Sequence, residues 1–247
     1  METTLSPQAL RSKRAVLSFS RYWILYFNLA LGIYVGLPWL APLLMKSGLT
    51  GAGEALYIIY SFLCHQLADR SFFLFGPQVM YPAERLLPLA SDSSPYLALR
   101  IFIGTPELGY KVAWSDRMVA LYGGMFWGGL LFPLLRRRRF SLWWFPILLA
   151  PLAVDGTTHF LSDLGGFNTG FRYTNAWLAQ LTGNQFPAWF YVGNALGSFN
   201  SWARLISGTL AGLGGVWAVY FLIEDYFNQV RSVLEYQLRN SSKRTNL

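Results

Sequence analysis

The sequence predicts an all-α fold, an integral membrane helix bundle with four spanning helices plus one short re-entrant or interfacial helix. Three observations predict it. Only 13% of the 247 residues are charged and 53% are hydrophobic, where a soluble domain carries about 25% charged residues. Four apolar runs reach the roughly 20 residues that a helix needs to cross a bilayer. The remaining arginines and lysines collect at the ends of those runs, as cytoplasmic loop cations do.

The first run covers about 22–45, from Tyr22-Trp23-Ile24-Leu25 to Leu43-Leu44-Met45. It exceeds the roughly 7–15 apolar residues of a cleavable signal and no small-x-small site follows, so it reads as an uncleaved anchor. A shorter run, about 53–64, holds Ala55 to Leu63. It cannot cross untilted and suits a re-entrant, interfacial or buried helix. The second, third and fourth spans cover about 115–135, 141–162 and 203–224.

Charge sets the orientation. With Arg136-Arg137-Arg138-Arg139 in the cytoplasm, Arg11, Lys13, Arg14 and Arg21 fall on the same side. So do Arg231, Arg239, Lys243 and Arg244, provided the 53–64 helix enters and leaves on one side. The chain then divides into a cytoplasmic basic N-terminal tail (1–21), a membrane domain (22–224) and a cytoplasmic C-terminal tail (225–247). Two long segments face outward. Residues 66–114 hold Pro77, Pro82, Pro88, Pro95 and Pro106 and cannot form one long helix; Ser91-Asp92-Ser93-Ser94-Pro95 reads as a turn. Residues 164–202 carry Gly165-Gly166, Asn168, Gly170 and the aromatic patch Phe186-Pro187-Ala188-Trp189-Phe190-Tyr191, which suits a membrane interface.

The net charge of +8 sits at run ends rather than on a basic groove, so the expected partners are the lipid bilayer and other membrane subunits, with no nucleic acid. The single Cys64 excludes an intrachain disulfide and any Cys-only metal site. No inverted repeat or pair of broken helices signals a transporter.

In this topology the ionisable groups gather at one depth. Cys64 and His65 end the short helix. Asp116 and Arg117 begin the second span; Asp155, His159 and Asp163 lie toward the outer end of the third; Asn200 and Arg204 begin the fourth. Asp155, His159 and Asp163 are spaced i, i+4, i+8 and share one helix face. Gly124-x-x-x-Gly128 and Gly208-x-x-x-Gly212 are candidate packing seams. Ionisable groups near a membrane segment mark sites, and several readings stand open. Cys64, His65, Asp155 and His159 include the donor types of zinc or another divalent metal, though HExxH and CxxC spacings are absent. Two histidines on different helices suit axial haem ligation, without a CxxCH for covalent haem. Cys64 or Ser162 with a histidine and an aspartate would suit an intramembrane hydrolase or transferase. Alternatively Asp155 pairs with Arg117 or Arg204 and the centre is a packing device, as in an accessory or scaffold subunit of a larger complex.

At these residues the chain resembles domain of unknown function 2085, a group of small multi-pass membrane proteins of bacteria and archaea. The resemblance rests on Cys64-His65-Gln66 followed by Arg70-Ser71-Phe72; Asp116-Arg117 through Tyr122-Gly123-Gly124; Asp155-Gly156; and Ser198-Phe199-Asn200 through Arg204 to Ser207-Gly208 and Gly212. These pieces span about residues 55–215. The resemblance implies a bacterial or archaeal cytoplasmic (inner) membrane location and a shared polar centre that includes Arg70. Many members carry Cys-x-Arg-Cys where this chain has Ser115-Asp116-Arg117-Met118, and glutamine where it has His159. Function is expected to be binding of a metal ion or small polar ligand at a centre buried at the outer leaflet.

Overall fold

The computed structural model describes residues 6–90, 92, 94–138 and 141–245. Ser91, Ser93 and Arg139 lie outside the described residues, as do the side chains of Lys243 and Arg244.

Helix α1 runs from Pro7 to Lys46. Ser6 Oγ accepts the Ala9 N–H at 3.2 Å and Pro7 occupies the first turn, so the helix starts well before its apolar stretch. Helix α2 (Thr50–Ser61) folds back along α1 after a turn at Gly48, whose φ of +82° suits glycine. Gly53 meets Met45 near the top, and Tyr60 Oη donates to Tyr34 O (2.8 Å) further down. The tip of α2 therefore lies level with Tyr34.

A small domain follows instead of a span. Its strands are β1 (Ser71–Leu74), β2 (Gly104–Thr105) and β3 (Gly109–Ser115), antiparallel in the order β1-β3-β2. Phe73 pairs with Lys111 and Ser71 with Ser115, across a register shift. Two short helices, α3 (Ala83–Leu86) and α4 (Pro95–Ile101), cover a core that includes Phe73, Tyr81, Leu86 and Leu99. The expected all-α class is thus corrected: the fold is helical with one small sheet. The strands escaped the helical reading because they are short and because β3 runs straight into the next helix.

That helix is α5 (Asp116–Leu135), followed by α6 (Trp144–Leu164), three short helices α7 (Phe171–Thr174), α8 (Ala176–Leu181) and α9 (Ala188–Tyr191), and the long α10 (Phe199–Thr245). Helices α1, α5 and α10 are long and apolar enough to cross a membrane. The 21-residue α6 coincides with the expected third span, but Asp155, His159 and Asp163 dilute its apolar character. Large apolar side chains such as Leu25, Leu29, Trp127, Leu134, Val154 and Leu222 lie exposed along these helices, as a lipid-facing belt requires and a soluble monomer avoids.

The two glycine pairs form one seam. A Cβ on Gly124 would come 2.8 Å from Thr209 O, and one on Gly208 would come 2.9 Å from Arg117 O. Backbones of α5 and α10 thus touch, which only small residues permit. Toward the Arg136 end, Trp23, Phe132, Val216 and Tyr220 form an aromatic core. Beyond it the expected tails are continuous helix: Lys13 Nζ donates to Gln237 Oε1 (2.8 Å) and Arg21 Nη2 to Glu235 Oε1 (2.8 Å), so the two ends of the chain run antiparallel as a hairpin.

Candidate functional site

At the end of the bundle opposite Arg136, two buried carboxylate centres organise the polar residues. The first is Asp116, the opening residue of α5. Arg204, in the second turn of α10, donates its Nε to both Asp116 oxygens (2.7 and 2.9 Å). Its Nη1 and Nη2 reach Asn194 Oδ1 (3.1 Å) and Asn194 O (2.8 Å), so the guanidinium is held on three sides. Asn194 Nδ2 in turn donates to Asp69 Oδ2 (2.8 Å). Burial pushes the Asp69 carboxyl above its ordinary range, against the pull of Arg70 and Asn194.

The second centre is Asp155 on α6. Its Oδ2 accepts Arg117 Nη2 (2.7 Å) and its Oδ1 accepts Arg172 Nη2 (2.7 Å). Arg172, on α7, also donates to Thr158 Oγ1 (2.8 Å) and Asn200 Oδ1 (3.2 Å), and its N–H to Ser162 Oγ (3.0 Å). The same α6 face carries His159, whose Nδ1 lies 3.4 Å from Asp155 Oδ1 without hydrogen-bond alignment, and Asp163, which accepts Arg70 Nη2 (3.2 and 3.3 Å).

Between the α2 tip, the first turn of α5 and the second turn of α10 lies a cavity of about 470 Å³. Arg70, Arg100, Arg117 and Arg204 line it with His65 and Cys64, and no carboxylate is among its lining residues. Cys64 Sγ accepts the N–H groups of Gln66 (3.3 Å) and Ser115 (3.5 Å) and donates to Ser115 Oγ (3.5 Å). Gln66 holds a left-handed φ of +52°. It is fixed there by its side-chain amide on Tyr57 O (2.9 Å) and by Lys111 Nζ on its carbonyl (2.6 Å). Lys111 is fully buried and donates also to Arg100 O (2.7 Å). Burial pushes its ammonium down to about 7.

Of the residues singled out in the sequence, the structure brings Arg70, Asp116, Arg117, Asp155, His159, Asn200 and Arg204 together at this end and sets Cys64 and His65 on the cavity. The pairing differs from expectation in part. Asp155 takes Arg117 as expected and Arg172, whereas Arg204 belongs to Asp116. The four residues read as metal ligands divide. Cys64 and His65 face the cavity, where His65 packs on Tyr96 (centroids 6.1 Å apart); Asp155 already spends both oxygens on guanidiniums beside His159. Among the described residues no three His, Cys, Asp or Glu side chains gather to hold a metal. The haem reading meets the same division, because His159 is not a cavity-lining residue. Ser162 Oγ is engaged by Arg172, and both His159 nitrogens lack a hydrogen bond among the described residues, so no nucleophile–base pair forms there. Ser115 and Met118 line the same cavity as Cys64.

Sequence reasoning missed Asp69, Arg100, Lys111, Arg172 and Asn194. Lys111 had a signal, as the lone charge inside the apolar stretch Tyr110-Lys111-Val112-Ala113-Trp114. Arg172 lies on the four-residue α7 and Asn194 in an irregular segment, both too short of regular structure for periodicity to assign a face.

The uncharacterized protein MJ1492 of Methanocaldococcus jannaschii is 27% identical to the chain over 131 residues, which are 51% of this chain and 62% of that protein. The chain thus matches less than two thirds of that relative's length. No family model matches the chain, and no solved structure matches it.

Proposed function

We propose that the chain is a four-span membrane protein that binds a small anionic ligand in a polar centre at the outer leaflet. One observation carries this reading: four arginines and a histidine converge on the cavity, and among the described residues no carboxylate lines it. Such a wall repels a metal cation and attracts an oxyanion, which guanidinium forks match in geometry. Arg100 is the spare cation. Its Nη2 meets only Ser61 O (3.4 Å), and no ion pair forms on it among the described residues.

Helix α6 joins α1, α5 and α10 as the third of the four spans in chain order, since 21 residues rise about 31 Å. Both termini and the Arg136 loop lie in the cytoplasm, on the charge rule. In a Cys64→Ser background, an impermeant thiol reagent added outside should label a cysteine at Asp92 and not one at Arg138; the reverse labelling overturns the orientation. The likeness to domain of unknown function 2085 and the bacterial or archaeal inner-membrane location belong to the same proposal.

Ligand binding to the folded state raises its stability. Inorganic phosphate or sulfate should therefore raise the unfolding temperature of detergent-purified protein, zinc should not, and Arg100→Gln should remove the effect. Stoichiometric metal in the purified protein, with no response to anions, overturns the reading.

A second reading, an accessory subunit, is favoured by the hairpin of α1 and α10, where Val16, Tyr226, Val233 and Tyr236 are exposed. Co-purification of a membrane partner lost on Tyr226→Ser and Val233→Ser would support it.

A further inference from the structure

We propose that the anion is a phosphate ester carried by a membrane lipid, which reaches the arginines sideways from the bilayer past Phe62 and Leu63. The inference rests on the anion-binding reading and names its ligand class.

Position comes first. The cavity is walled by Arg117 and Met118 from the first turn of α5 and by Arg204 from the second turn of α10. Both helices are membrane-length, so the cavity sits where they leave the hydrocarbon core, about 15 Å from its midplane. The headgroup layer that holds lipid phosphates begins at that depth.

The mouth is the second observation. Helix α2 descends along α1, and its tip lies level with Tyr34, which packs edge-on against Tyr122 of α5 (centroids 5.0 Å apart). There the chain presents Phe62 and Leu63, 85% and 50% exposed, both lining the cavity. Ile58 and Ile59 continue the exposed ridge up α2. A water-soluble anion gains nothing from such a lip, whereas an acyl chain leaving the cavity can lie along it and bury apolar surface.

The interior is the third. Arg117 and Arg70 each commit one Nη2 group to a carboxylate, and a guanidinium has five N–H donors. Across the joined network five arginines and Lys111 face four aspartates, Asp69, Asp116, Asp155 and Asp163. The positive surplus borders the cavity at Arg100. A volume near 470 Å³ falls in the range of small-molecule sites and exceeds what a bare oxyanion fills.

The test uses full-length protein in detergent and three probes: dioctanoyl phosphatidylglycerol, glycerol 3-phosphate and inorganic phosphate. The lipid should bind at least about tenfold more tightly than glycerol 3-phosphate, the equivalent of about 1.4 kcal/mol. Phe62→Ser, at an exposed side chain whose loss leaves the core intact, should remove most of that advantage by weakening the lipid far more than glycerol 3-phosphate. Arg100→Gln should weaken all three. Equal affinity for the lipid and glycerol 3-phosphate, or a lipid advantage that survives Phe62→Ser, overturns the lipid assignment and leaves the anion reading standing. If none of the three binds, the anion reading falls and this inference with it.

Discussion

Ion pairs occur at both ends of the bundle, but in opposite surroundings. At the hairpin end the Arg21 and Glu235 side chains are 53% and 37% exposed; at the cavity end those of Arg204 and Asp116 are 2% and 0% exposed. Each joins a guanidinium to a carboxylate, and the distances are nearly the same, 2.8 and 2.7 Å. What differs is the solvent that each pair gave up. An exposed pair trades water for a partner at little gain, whereas a buried pair holds together charges that could not stand alone. Charge in this chain is therefore read by place, as a solvated helix face at one end and as architecture around a cavity at the other.

The sharpest way to break this contrast is to leave one buried charge without its partner. Asp116→Asn strands Arg204 and should cost about 3–5 kcal/mol of stability, measured as unfolding in detergent. A variant that unfolds with the wild type would show that the pair is not a support. Asp155→Asn releases Arg117 and Arg172 together and should cost a similar amount. Combined with Arg117→Gln it should be less than additive, with a coupling of about 0.5–3 kcal/mol; strict additivity would separate the two residues.

Lys111 tests burial of a cation whose hydrogen bonds go to carbonyls rather than to a carboxylate. Lys111→Met strips a partner from Gln66 O and Arg100 O, at about 1–3 kcal/mol for each unpaired group. The wild type should also respond to alkali. With the folded lysine pushed down to about 7 and the ordinary value at 10.5, the unfolded chain binds more protons between those pH values. Stability should then rise with pH through that window, by at most about 1.4 kcal/mol per unit, and level off below about 7. The rise should vanish in Lys111→Met; an unchanged pH profile would assign it to another group. The smallest effect belongs to the hairpin end, where Arg21→Ala should leave the unfolding temperature unchanged within error. A clear drop there would place that pair in a drier environment than its exposure indicates.

The same contrast explains what the amino-acid pattern discloses. Apolar runs announce α1, α2, α5, α6 and α10, because burial against lipid or helix needs many consecutive apolar residues. The first run was read from Tyr22, yet α1 starts at Pro7. Ser6-Pro7 is a start signal on a polar stretch, which a count of consecutive apolar residues does not register. The sheet is hidden because β1 and β2 hold four and two residues, too few for alternation to appear. Within the site, Asp155, His159 and Asp163 share a face by spacing alone. Arg172 escapes that pattern, since its route to Asp155 runs through the turns between Gly165 and Gly170 rather than along a helix.

The seam of α5 and α10 has one more consequence, for how the cavity tolerates change over generations. Arg117 and Arg204 keep their separation because Gly208 and Gly212 let the two backbones touch, and a methyl group at Gly212 would strike the carbonyl of Leu121. The width of the cavity is thus written partly in atoms that are missing, two turns below its rim. A mutational survey that scored only the charged lining would overlook the positions where the smallest alteration, one carbon, reshapes the whole opening.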